Sequence, residues 1–169
     1  MPNKWLVKPK EDKMNIRRAV PTDNVLLSSL SVDVQRLHAK NHPDIFKMPQ
    51  NDDFAVQFFN EILVDPLTRV FIAEEDGRAF GCIVCKLIER EENPFTVAMR
   101  YLLVDQISVR PEAQGRGVGK ALIERVEMLA KELNVSRIQL DSWGFNTSAH
   151  AFFEKMGFEK FNYRFWRKL

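Results

Sequence analysis

Three glycines and two cations crowd into the seven residues Gln114-Gly115-Arg116-Gly117-Val118-Gly119-Lys120. Glycine carries no Cβ, so the backbone there can approach a ligand closely and turn its amides outward. An amphipathic run over residues 118–133 follows, so the loop opens a helix. The first N–H groups of a helix lack intrahelical partners, and the dipole is positive at that end. The combination predicts a phosphate or pyrophosphate cradle. Two nucleotide patterns fail on it. A Walker A loop needs glycine where Gln114 stands and a Ser or Thr where Ala121 stands. The dinucleotide fingerprint accepts Gly115 and Gly117 but meets Lys120 in place of its third glycine.

A second constellation lies about thirty residues further on, Asn146-Thr147-Ser148-Ala149-His150-Ala151-Phe152-Phe153-Glu154-Lys155-Met156-Gly157-Phe158. By itself it reads as a short amphipathic helix capped by Asn146 or Thr147 and ended by Gly157. Together with Ile107-x-Val109-x-Pro111 and the Q-x-x-G-x-G loop, it resembles the paired signatures of the GNAT acetyltransferase superfamily. The resemblance covers residues 97–160 in detail and 14–96 in element order.

That resemblance implies an α/β fold (α+β), a central mixed sheet of six to seven strands flanked by four helices and splayed between two central strands. Acetyl-CoA would lie in the splay as donor substrate. The amides of Gly115, Arg116, Gly117, Val118, Gly119 and Lys120, introduced by Gln114, would take its pyrophosphate. Ile107 and Val109 would pair with the pantetheine arm like an added strand, with the Val109 amide on the thioester carbonyl. Asn146 would bond the pantetheine side, and Phe152 and Phe153 would pack beside it. Arg116 and Lys120 also read as ordinary solvent-facing cations. The activity implied is transfer of acetyl from acetyl-CoA to a primary amine of a small molecule, peptide or protein. A non-catalytic acyl-CoA-binding module and a transferase of other acyl groups are the alternatives.

An alkylammonium has a pKa near 10.4 and must lose a proton before it can attack. Asp105, on the strand just before the splay, is the first candidate base, and Asp141 on the opposing strand is the second. Either also reads as a strand-end carboxylate with structural hydrogen bonds. Phe153 departs from the family pattern, which places there a tyrosine able to protonate the leaving thiolate. A thiol of pKa about 8.5 leaves tolerably without that help; Tyr163, Ser148 or water are the substitutes the sequence offers.

The elements that must position these residues follow from pattern. Residues 15–19 form a short strand, and Pro21-Thr22-Asp23 opens a helix to about residue 40, with Thr22 or Asp23 as cap and Val25, Leu26, Leu30, Val34 and Leu37 as its apolar stripe. Asp52 or Asp53 caps a second helix, 54–63, with Phe58, Ile62 and Leu63 on one side. Strands over 69–74 and 79–89 flank an Asp76-Gly77 hairpin turn. A long strand over 97–109 carries an irregularity between Leu103 and Ile107, where its periodicity slips. A strand over 137–143 follows the 118–133 helix, and residues 158–169 alternate as a closing strand. The acceptor pocket is expected from the first two helices and their loop, with His38, His42, Phe46 and Phe58, plus the C-terminal strands.

Composition limits the rest. The 169 residues suit one domain over 14–169, with the polar, lysine-rich residues 1–13 expected as a disordered extension. A net charge of +2 gives no global case for nucleic acid or membrane as partner. The longest apolar runs are too short for a membrane span and 1–13 lacks an apolar core, so a cytoplasmic protein is expected. The resemblance also allows a homodimer. Cys82 and Cys85 form a C-x-x-C inside a strand, where residues three apart face opposite ways, and so read as independent thiols rather than a redox or metal pair. His38 and His42, four apart, lack the glutamate of an H-E-x-x-H frame, and His42 sits at the helix break before Pro43; no metal is expected.

Overall fold

The computed structural model of the chain describes residues 14–169. The expectation for residues 1–13 lies outside these. In order, the elements are β1 (Asn15–Arg18), α1 (Asn24–Asn41), α2 (Val56–Val64), β2 (Thr68–Glu75), β3 (Arg78–Arg90), β4 (Met99–Val109), α3 (Val118–Glu132), β5 (Ile138–Leu140) and α4 (Thr147–Lys155). Short 3-10 turns at Pro21–Asp23 and Pro111–Ala113 lead into α1 and the glycine loop. The strands form one mixed sheet in the order β1-β2-β3-β4-β5, antiparallel except for the β4–β5 pair.

The sheet is covered on both faces, so its central strands read as nearly continuous apolar runs. Period-two alternation divides them. Phe71, Ala73, Ile83 and Cys85 pack with Val118, Leu122, Ile123 and Val126 of α3. Val70, Ile72, Cys82 and Val84 pack with Leu27 and Leu30 of α1 and Phe59 of α2. The two cysteines thus sit on opposite faces, both fully buried, and burial pushes each thiol up to about 12. Gly81 is required where β3 meets β4, since a Cβ there would lie 2.6 Å from the Ser108 carbonyl oxygen and 3.1 Å from Val118.

The turn at Asp76-Gly77 forms as expected, both residues at positive φ (49° and 76°) as a tight hairpin needs. The β4 irregularity is also present. Cys85 pairs with Val104 and Val84 with Gln106, which leaves Asp105 as the unpaired extra residue of a bulge.

Five local expectations differ. The sheet has five strands, not six or seven. Residues 158–169 form no strand, although Phe161, Tyr163 and Phe165 alternate. Alternation is a local signal, a strand also needs an edge to pair with, and those three rings are 68–90% exposed. α1 buries Leu27, Ser28, Leu30, Ser31, Val32 and Ala39 and leaves Val25 and Leu37 outside. The leucine–serine run permits two apolar stripes, and buried hydroxyl bonds, including Ser31 Oγ to the Leu27 carbonyl (2.8 Å), favour the serine-bearing one. Neither Asp52 nor Asp53 caps α2. Ser28 Oγ accepts from Ala55 N–H (3.0 Å) while donating to the Asp52 carbonyl (2.6 Å), so α1 ties down the turn leading into α2 across space. Asp23 occupies the α1 N-cap position, but its carboxylate turns to Arg17 (2.8 and 2.9 Å) and Val20 N–H (2.8 Å).

Candidate functional site at the divergence of β4 and β5

β4 and β5 are paired only from Leu102↔Ile138 to Val104↔Leu140. Beyond that point they part, at Asp105 on one strand and Asp141 on the other. The gap has a polar edge. Arg110 N–H donates to the Phe80 carbonyl of β3 (2.8 Å). Because strand amides alternate sides, those of Ile107 and Val109 then face away from β3, into the gap. Gln114 Nε2 donates to the Val109 carbonyl at 3.4 Å, tying the glycine loop to the same edge.

The loop meets the requirements of a cradle. Gly115 and Gly117 sit at φ of 77° and 84°, where a side chain is strained, and a Cβ on either would enter open space. Gly117 is the N-cap of α3. Among the described residues, the amides of Gly115, Gly117, Val118, Gly119 and Lys120 have no protein partner. Arg116 differs from the expectation for it, since its N–H donates to the Ala113 carbonyl (3.3 Å). Its guanidinium pairs with Glu75 and lies over the Phe80 ring, 4.9 Å from the centroid, and so anchors the loop to the sheet. Lys120 is exposed and stands 3.7 Å from Glu124. Gly119 faces Phe152, whose ring tip would be 3.1 Å from an added Cβ, so the ring of α4 packs directly on the backbone of α3 there.

Asn146 caps α4, its Oδ1 accepting from Ala149 N–H (3.3 Å) and Ser148 Oγ (3.1 Å). Phe152 and Phe153 stack obliquely, 5.3 Å between centroids, and Phe153 is buried against Phe158. Gly157, at φ 86°, ends the helix, with its N–H bonded to the Glu154 carbonyl and that of Phe158 to the Phe153 carbonyl, both at 3.0 Å.

A cavity of about 560 Å³ opens at the divergence. Asp105, Asp141, Ile107, Asn146 and Phe153 all line it. His38, Phe46 and Phe58 join them from the helical layer; His42 stands behind, its ring 5.1 Å from that of Trp143. Of the C-terminal strands expected there, the 137–143 stretch contributes Asp141, Ser142 and Trp143, and no residue after Phe153 takes part. Tyr163 is exposed on that segment and Ser148 is spent on the α4 cap, so neither supplies a hydroxyl to the cavity. α1 is held over this end of β4 by three polar ties. Gln106 Nε2 donates to Ser31 Oγ (2.6 Å), Arg110 Nη2 to Ser29 Oγ (3.0 Å), and Ser108 Oγ to the Leu30 carbonyl. His38 is held below the usual histidine range, first by burial and then by the charge of His42, and enters neutral.

Pattern reading missed Trp143 and Phe54, both at the cavity and both 38% exposed. A tryptophan and a glycine at the end of a strand flanking the splay are the available signal for the first; Phe54 carries none.

The family model described as "Acetyltransferase (GNAT) family" matches residues 32–158, three-quarters of the chain. The protein belongs to that family. A putative [ribosomal protein bS18]-alanine N-acetyltransferase of Bacillus subtilis (strain 168) is 24% identical over 102 residues, 60% of this chain; the chain spans 61% of that relative's length. Among solved structures, a tetramutant of the BH1408 protein from Bacillus halodurans superposes with a TM-score of 0.85 at 21% identity, covering 92% of this chain and all of that one. The aminoglycoside N-acetyltransferase AAC(6')-Iy in complex with CoA gives 0.72 at 24%, over 95% and 97% of the two chains. Both likenesses are of fold. Among the described residues no helix is long and apolar enough to cross a membrane, and no cluster of His, Cys, Asp and Glu has the makings of a metal site.

Proposed function

We propose that this chain transfers the acetyl group of acetyl-CoA directly to a primary amine. One observation carries the reading: the unpartnered amides of the glycine loop and those of Ile107 and Val109 run along one gap, which ends in a cavity lined by both Asp105 and Asp141. The fit to a pyrophosphate rests on Gly115 and Gly117, whose missing Cβ atoms leave the space open. An anion there would gain several N–H donors and the positive end of α3.

Bound acetyl-CoA supplies an acyl carbon activated as a thioester. The chain's own residues do the rest. The amides of Ile107 and Val109 bind the donor's arm, and the Val109 amide lies at the carbonyl, where negative charge grows during attack. Asp105, projecting from the bulge, takes the proton from the acceptor's ammonium, directly or through water. The amine nitrogen then bonds to the acyl carbon and the carbon–sulfur bond breaks; the nitrogen gives up its second proton to water as the amide forms, and the leaving thiolate takes a proton from water. Phe153 offers no proton at that stage; its ring closes the wall beside the reacting centre.

Phe153 also favours a second reading, a module that binds acyl-CoA without turnover. Release of free thiol from acetyl-CoA in the presence of an amine panel separates the two. Amine-dependent release supports the transferase; micromolar CoA binding with no release across the panel supports the binding module.

A further inference from the structure

The lining of the cavity bears on the acceptor as well as on the reaction, and any assignment of the acceptor rests on the transferase function proposed for the same site. Half-exposed aromatic rings on soluble proteins are ordinary one at a time, whereas several converging on one opening are apolar surface left for a ligand. Phe54 (38% exposed), Phe58 (44%) and Trp143 (38%) converge in this way. Phe46 completes the wall, its ring 5.0 Å from Trp143 and nearly perpendicular to it, and 4.9 Å from the stacked ring of neutral His38. The wall is assembled from the loop after α1, from α2 and from the segment after β5, and Phe46 and Trp143 meet edge to face within it.

Among the described residues the lining contains two carboxylates, Asp105 and Asp141, and no lysine, arginine or further acid. Two carboxylates at one end of a cavity compensate one ammonium and leave one group able to take its proton. They do not compensate three or four. A polycation such as an aminoglycoside or a long polyamine would leave cationic nitrogens against phenylalanine and tryptophan, where desolvation is costly.

We infer that the acceptor is a small monocationic arylalkylamine, its aromatic body against the wall of Phe46, Phe54, Phe58 and Trp143 and its amine between Asp105 and Asp141. The electron-rich face of Trp143 favours the ammonium on its way in, and the ring body gains from apolar burial.

The experiment is steady-state kinetics at saturating acetyl-CoA with phenethylamine, tryptamine, spermidine, kanamycin and an alanyl dipeptide as acceptors, read by thiol release. Phenethylamine and tryptamine should exceed each of the others in kcat/KM by about tenfold or more, the scale on which buried apolar area discriminates. Trp143→Ala should raise the KM for phenethylamine by about fivefold and leave that for acetyl-CoA unchanged. Phe58→Leu, which keeps apolar volume and removes the ring, guards against a folding defect and should act in the same direction. Turnover led by kanamycin, spermidine or the dipeptide would overturn the inference while upholding the transferase. Arylalkylamine turnover untouched by both substitutions would overturn the site. If CoA binds and no amine releases thiol, the inference and the transferase reading fall together, a result distinct from the other two.

Discussion

The two ends of the β4–β5 gap are made of different materials. At the loop end the unpartnered polar groups are backbone amides of Gly115 and residues 117–120, and side chains are mostly absent. At the cavity end the lining is made of side chains, drawn from α1, the 42–55 loop, α2, the β4 bulge, the segment after β5 and α4. A backbone cradle has few solutions, and each requires glycine at fixed spacing. A side-chain pocket has many solutions, and its members need not be near one another in the chain. The first arrangement therefore suits a ligand shared by a whole family, and the second suits a ligand particular to one member.

Substitutions at the two ends should separate accordingly. The largest effect is expected from Gly117→Glu. A non-glycine residue at φ 84° is strained, and the carboxylate would occupy the open space before α3. CoA affinity measured by calorimetry should fall on the order of a hundredfold or more, since an anion site loses donors and gains a like charge. Retained affinity would break the comparison at its loop end. Asp105→Asn should lower kcat/KM by on the order of a hundredfold, the usual scale of a lost general base, most severely below the amine's own pKa. CoA affinity should stay as it was. An unchanged pH–rate profile would move the base to Asp141 or to water.

Smaller effects sharpen the cavity end. Phe153→Tyr adds the hydroxyl that the family pattern carries, and kcat should change by less than about threefold because a thiol leaves without acid help. A large gain would make thiolate protonation the limiting step in this protein. The smallest effect concerns His38, whose pKa is depressed in the folded state. The unfolded chain then binds more protons than the folded one between that value and the ordinary pKa of about 6.5. The stability from keeping His38 neutral is thus fully present above about pH 6.5 and is lost as pH falls through the folded value. Melting curves at about pH 7.5 and about pH 5.5 should differ through this group by a few degrees at most, and His38→Phe should reduce the difference. An equal difference in the variant would assign it to other groups.

The same division explains what could be read from the chain. The glycine loop, the α3 stripe, the Asp76-Gly77 turn and the irregularity of β4 are local: each follows from a residue type needed at one backbone conformation. The slip in periodicity between Leu103 and Ile107 even located the bulge that carries Asp105. Features decided across space were not legible. Ser28 holds the N–H of Ala55, twenty-seven residues away, at the entry to α2. The buried face of α1 was chosen by serine hydroxyls, where an apolar count pointed to Val25 and Leu37. The closing strand had the right alternation and no partner. Phe54 and Trp143 reach the cavity only because α1, α2 and the parting strands bring them there.

A crystal structure with CoA tests the central claim most directly. The pyrophosphate should lie on the amides of Gly115 and residues 117–120, the pantetheine along Ile107 and Val109, and the sulfur at the mouth of the cavity between Asp105 and Asp141. CoA bound with its adenine in the aromatic cavity, or with the glycine loop free of phosphate, would contradict that claim.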